Sequence, residues 1–143
     1  MVHILTDQII LYYFQIFSFL IQIKHQKRVL GSIWKELRAE SRNGNLPIDL
    51  VKDFLLVRGF ADMVLTVYES YIYHFCIERS WSRLRKSLEQ AHTFNRVSSV
   101  HNEYILSIIK FSFFGGFQSK EFQYVSKFMN SISDFTNIVS LLF

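Results

Sequence analysis

The sequence is short of the residues that break chains and cross-link them. Among 143 residues there is one proline, there are five glycines and there is one cysteine. Few breakers mean few tight turns, which argues against a sandwich or barrel of short strands and favours long helices. A single thiol, Cys76, excludes an internal disulfide framework and fits a reducing compartment. No Asn-x-Ser/Thr acceptor occurs, in line with a cytosolic setting. There is no P-loop, no Gly-x-Gly-x-x-Gly, no Gly-x-Ser-x-Gly and no His-Glu-x-x-His, so none of the common nucleotide, hydrolase or zinc-protease signatures applies.

Apolar and aromatic residues are plentiful. Half of the sequence is hydrophobic and 17 % is aromatic, with 15 phenylalanines, enough for one packed domain. The formal charge of +4 is mildly basic and favours an acidic partner.

Ile9 to Ile23 carries no charge, and Lys24, Lys27 and Arg28 follow at once. A membrane anchor with a basic flank is one reading. The run is short of the roughly 20 residues that span hydrocarbon, and Gln15, Ser18 and Gln22 interrupt it. Tyr13, Ile16, Leu20, Ile23, Lys27, Leu30, Trp34 and Leu37 recur at three- and four-residue steps, which carries one helical stripe past the apolar run. A core helix is the preferred reading, and the missing basic n-region and small-x-small cleavage site argue against a signal peptide.

The periodicity predicts an all-α fold, a bundle of about five helices, two of them long, over a single domain at 1–143. The first helix is placed at about 8–40, capped by Thr6 or Asp7 and closed by Ser41-Arg42-Asn43-Gly44-Asn45. Pro47 suits the start of the second, about 48–78, with Leu50, Phe54, Val57, Ala61, Val64, Tyr68, Tyr71 and Phe75 inward. Extra apolar residues on that helix place it centrally, contacted on several sides. Ser80 is read as the cap of a third helix at 81–91, with Trp81, Leu84 and Leu88 inward. A fourth, started by Thr93 or Asn95, runs over 96–114 and ends at Gly115-Gly116, and a fifth over 120–142 starts from Ser119.

Sites for chemistry are sparse. His74, Cys76 and Glu78 lie close, but zinc needs three or four ligands and no paired Cys or His supplies them, so no metal site is implied. Cys76 sits mid-helix on an aromatic face, the setting of an inert core thiol rather than a nucleophile. Arg79, Arg83, Arg85 and Lys86 surround Trp81, which could track a phosphate backbone. The alternation with Leu84 and Leu88 reads instead as the solvent face of an amphipathic helix, so no nucleic acid is implied. No cofactor site is found, and the chain is read as non-enzymatic.

Three segments carry a resemblance. Tyr13-Phe14-Gln15-Ile16-Phe17-Ser18-Phe19-Leu20, running to Lys24, is followed by Leu30 and Trp34. Arg58 opens a long helix that closes with Tyr71, Ile77, Glu78 and Trp81. Ala91 precedes His101-Asn102-Glu103-Tyr104-Ile105. In this order and spacing they resemble the C-terminal domain of the gamma-tubulin complex component family. The likeness covers about residues 10–110. It departs at Gly59-Phe60-Ala61-Asp62, where the family has more basic residues and methionines, at Val100, and after Phe111. Family members also carry an N-terminal helical half without a counterpart here, so the resemblance implies part of the C-terminal domain.

That resemblance implies a non-catalytic scaffold that binds gamma-tubulin, alongside other gamma-tubulin complex subunits, in the cytoplasm at microtubule-organising centres. Tyr13, Phe17, Leu20, Lys24, Arg58, Tyr71, Glu78, Trp81, His101 and Tyr104 are the motif residues and are read as builders of the bundle. His101 is expected to bond across helices and Arg58 to pair with Glu78 or Glu103. The basic set Arg79, Arg83, Arg85 and Lys86 is the candidate partner contact. Two alternatives remain at this level: a helical protein anchored in a membrane through residues 9–23, and a truncated relic of the family that binds nothing.

Overall fold

The computed structural model describes residues 4–113 and 120–142, and these are all-α. Helix α1 runs Asp7–Asn43 and α2 runs Ile48–Tyr71. A π-helical stretch, Ile72–Glu78, continues α2 directly into α3, Arg79–Glu89. Helices α4, Phe94–Phe111, and α5, Lys120–Ser140, complete the chain. The described residues therefore form four uninterrupted helical rods rather than five, because residues 48–89 never leave helical geometry.

The ends obey local capping chemistry. Thr6 Oγ1 accepts from Ile9 N–H at 3.3 Å, satisfying one of the orphan donors at the start of α1. Gly44, at φ +73°, takes the left-handed position that closes α1. Pro47 precedes α2, and its carbonyl accepts from Val51 N–H at 3.1 Å. Thr93 caps α4 by accepting from Arg96 N–H at 3.3 Å. Ser80 caps nothing: the residues on either side of it are helical, and its hydroxyl meets that of Ser107 at 3.1 Å instead. Helix α4 ends at Phe111, and the proposed turn at Gly115-Gly116 and cap at Ser119 lie outside the described residues.

On α1 the buried positions Ile9, Ile16, Ile23, Leu30 and Leu37 fall one every seven residues, with Gln26 and Ile33 beside them. This is an a/d seam of period 3.5. The stripe read from sequence is therefore rotated by part of a turn. Tyr13 and Trp34, expected inward, are 39 % and 38 % exposed. The buried Gln26 amide donates to Ser133 Oγ at 2.8 Å, which offsets its desolvation.

The chain forms two compact units. One comprises Met1–Leu20 and Glu69–Gln123, and its core includes Ile72, Cys76, Leu84, Val100, Ile105 and Ile108. Through and beyond the π-helical stretch its buried positions fall at four-residue steps, Ile72, Cys76, Ser80 and Leu84. The other comprises Ile21–Tyr68 and Tyr124–Phe143. There Ile33, Leu37, Val51 and Val139 form a core cluster, walled by Val29, Leu46, Phe54, Leu55 and Phe135. Each such side chain removed from water contributes about 1.5–3 kcal/mol.

Candidate partner-binding surface

Helix α3 is the most clearly two-faced element. Leu84 and Ser80 are buried, while Arg79, Arg83 and Lys86 are exposed. Their i, i+4, i+7 spacing puts the three cations in one row. Arg85 falls about 120° around the helix from that row, at 100° per residue. Among the described residues no carboxylate lies within ion-pair reach of these four cations. The row is therefore an uncompensated positive strip, open to an acidic surface.

Behind the strip, α3 packs on α4. A cleft of about 150 Å³ between them is lined by Ser80, Arg83, Ser87, Glu103, Tyr104 and Ser107. Trp81 stands half exposed on the far side of the buried Ser80–Leu84 face from the strip and meets Tyr104 edge-on, with ring centroids 6.2 Å apart. Tyr104 in turn faces His101 at 6.4 Å. His101 Nε2 and the Tyr13 hydroxyl share a hydrogen bond of 2.9 Å, and their rings are 5.9 Å apart. Burial holds the His101 imidazole below its ordinary pKa and pushes the Tyr13 and Tyr104 phenols up. His101 Nδ1 is buried with no partner, which favours the neutral ring further.

A second aromatic group sits at the π-helical stretch. Tyr71 is stacked by Phe75 and Phe113, each 5.7 Å away, and its hydroxyl donates to Phe111 C=O at 2.9 Å. Cys76 is buried beneath it. Burial pushes its thiol up, partly offset by hydrogen bonding with the Tyr71 hydroxyl. Glu78 is exposed and meets His74 Nδ1 at 2.8 Å. Among the described residues no three of His, Cys, Asp or Glu come together as metal ligands. No described helix is long and apolar enough to cross a membrane.

The sequence pattern of the family described as gamma tubulin complex component C-terminal matches residues 2–143. The chain belongs to that family. A comparison with individual curated proteins found no match.

In this gamma-tubulin complex component sequence, the motif residues take several different roles. His101 and Tyr13 meet each other, and Tyr104 and Trp81 extend the same aromatic row. Leu20 is half-buried and Lys24 exposed. Phe17 is 62 % exposed rather than in the core. Arg58 does not reach Glu78 or Glu103 as expected. Its Nε donates to Leu30 C=O at 3.1 Å and its Nη2 lies 3.9 Å from Asp62. Sequence reasoning missed the Leu30 acceptor because a backbone carbonyl leaves no trace in residue identity. It also missed the Tyr13 hydroxyl, treated there as core bulk.

Proposed function

We propose that this chain is a non-catalytic scaffold that binds gamma-tubulin as part of a gamma-tubulin complex. The family match over nearly the whole sequence supports this, and the uncompensated strip Arg79, Arg83 and Lys86 supplies a contact surface. In this reading the chain acts as one unit, part of the family's C-terminal domain. It works in the cytoplasm at microtubule-organising centres, with other complex subunits as neighbours. Tubulins present acidic faces, so a positive strip raises the rate of encounter and sets orientation. The chain supplies no bond-making step. Holding several gamma-tubulins side by side raises their effective concentration, which lowers the entropic cost of starting a microtubule.

The test is retention of gamma-tubulin by the immobilised chain, with alpha/beta-tubulin as control. Selective retention is expected. Reversal of the strip (Arg79→Glu, Arg83→Glu, Lys86→Glu) should weaken it by about tenfold at low salt. A soluble, cooperatively melting chain that retains no gamma-tubulin would refute the proposal.

A further inference from the structure

Helices α3 and α4 run antiparallel: Ser80, near the start of one, meets Ser107, near the end of the other. The seam between them is poorly filled. Positions 80, 83, 84 and 87 on α3 and 100, 103, 104 and 107 on α4 follow the same i, i+3, i+4, i+7 spacing, so each set is one helix face. Packed helix pairs close such a seam with large apolar side chains. Here Leu84 and Val100 alone are apolar, and both are buried at the base. The serines at 80, 87 and 107 are too short to reach across, and the cleft of about 150 Å³ is what they leave. That is room for about five waters at roughly 30 Å³ each, or for the side chain of one glutamate.

Donors dominate the lining. Arg83, Ser87 and Tyr104 bring N–H and O–H groups without a hydrogen-bond partner among the described residues. Ser80 and Ser107 share one bond, which leaves one hydroxyl proton over. Glu103 is the one carboxylate of the lining, beyond ion-pair reach of Arg83, and Ser99 donates to it at 3.3 Å. From this we infer that the cleft receives the carboxylate of an acidic side chain from the protein that docks on the strip, with Arg83 as its cationic partner and the Ser87 and Tyr104 hydroxyls as further donors. Arg83 belongs to both strip and cleft, so an acidic surface laid along Arg79, Arg83 and Lys86 brings its carboxylates to the cleft mouth. A carboxylate accepts about four hydrogen bonds, and those from a guanidinium are among the strong ones. A phosphate suits the cleft less well, because its second negative charge would face Glu103. The inference rests on the strip as the docking surface, but its test contains no tubulin, so either can fail alone.

The probe is acetyl-glutamic acid α-amide, whose one charge is the side-chain carboxylate. It is titrated against the whole isotope-labelled chain at constant pH and ionic strength and followed by NMR, with the glutamine analogue and inorganic phosphate as comparisons. The amide signals of Ser87 and Tyr104 should shift and saturate with a dissociation constant of about 1–10 mM, the range open to a handful of ligand atoms. The glutamine analogue should bind about tenfold more weakly, and phosphate more weakly than the carboxylate. Arg83→Met should weaken binding about tenfold, whereas Arg85→Met, the same change of charge on the other side of α3, should alter it less than about twofold. Tyr104→Phe keeps the ring and should weaken it about threefold. Glu103→Gln should tighten it about threefold, a gain that no folding defect can mimic. Ser87→Leu fills the cleft, so it should abolish the shift while the melting temperature holds or rises. The absence of a saturable shift overturns the inference. So does a glutamine analogue that binds as well, a phosphate that binds more tightly, equal losses from Arg83→Met and Arg85→Met, or binding that survives Ser87→Leu.

Discussion

Arg58 offers a sharp test of how α1 and α2 hold together within their unit. Its guanidinium has two partners of different worth: the Leu30 carbonyl at 3.1 Å and the Asp62 carboxylate at 3.9 Å. The side chain is 22 % exposed, and that of Asp62 is 36 % exposed. A hydrogen bond from a charged donor to a mostly buried acceptor contributes about 1.5–3 kcal/mol. A half-wet i, i+4 ion pair at the edge of reach contributes about 0.3–0.5 kcal/mol. Arg58→Met keeps the aliphatic stem and removes both, so it should cost about 2 kcal/mol. Asp62→Asn removes only the ion pair and should stay within about 0.5 kcal/mol. At about 4 °C per kcal/mol for a chain of this size, the melting temperatures should drop by about 8 °C and by at most 2 °C. Thermal melts followed by far-UV circular dichroism measure both. Raising salt to about 0.5 M should leave the gap intact, because a short hydrogen bond in a partly buried site is little screened. Equal losses for the two variants, or a gap that closes with salt, would refute the assignment and make the ion pair the dominant contact.

Three further outcomes are expected. Leu65→Ala, at a fully buried position on α2, should lose about 3 kcal/mol in urea unfolding, whereas Val67→Ala on the open face should lose under about 1 kcal/mol. His101 has a folded pKa below its ordinary value of 6.5, so the unfolded chain binds the proton first as pH falls. Its share of stability is complete above pH 6.5 and is lost as pH drops from there toward the folded pKa. His101→Gln should flatten that part of the stability–pH curve, and an unchanged slope would remove His101 as its source. The Cys76 thiol is buried with its pKa pushed up, so a disulfide-exchange reagent should react with it only in denaturant; prompt reaction in buffer would contradict the packing around Tyr71.

Local chemistry was legible in the sequence. Thr6 and Thr93 cap where their hydroxyls precede an apolar-periodic run, and Gly44 closes α1, because each of these depends on three or four neighbouring residues only. The all-α class followed from the scarcity of breakers. The inward face of α1 was harder to read. Ile33 and Trp34, or Tyr12 and Tyr13, are adjacent apolar pairs, and periodicity alone does not choose between the members of such a pair. Packing chose the row of five at seven-residue spacing, Ile9 to Leu37. The basic row of α3 was visible as i, i+4, i+7 spacing, whereas the isolation of those cations from carboxylates required the coordinates. Ser80 followed by an amphipathic run looks like a cap, and no residue type announces i→i+5 bonding, so the continuity of residues 48–89 was hidden.

The π-helical stretch Ile72–Glu78 also works as a store for one extra residue. Each residue of a π-helix turns the chain by about 80°, against about 100° in an α-helix, so seven π-helical residues rotate it about as far as six α-helical ones. Deleting one residue between 72 and 78 would let the rod run as plain α-helix while Arg79, Arg83 and Lys86 kept their direction relative to Tyr71 to within about 30°. The same deletion inside a plain α-helical segment would swing everything downstream by about 100°. The aim of the strip is thus buffered against the loss of a residue in the one stretch that holds a spare.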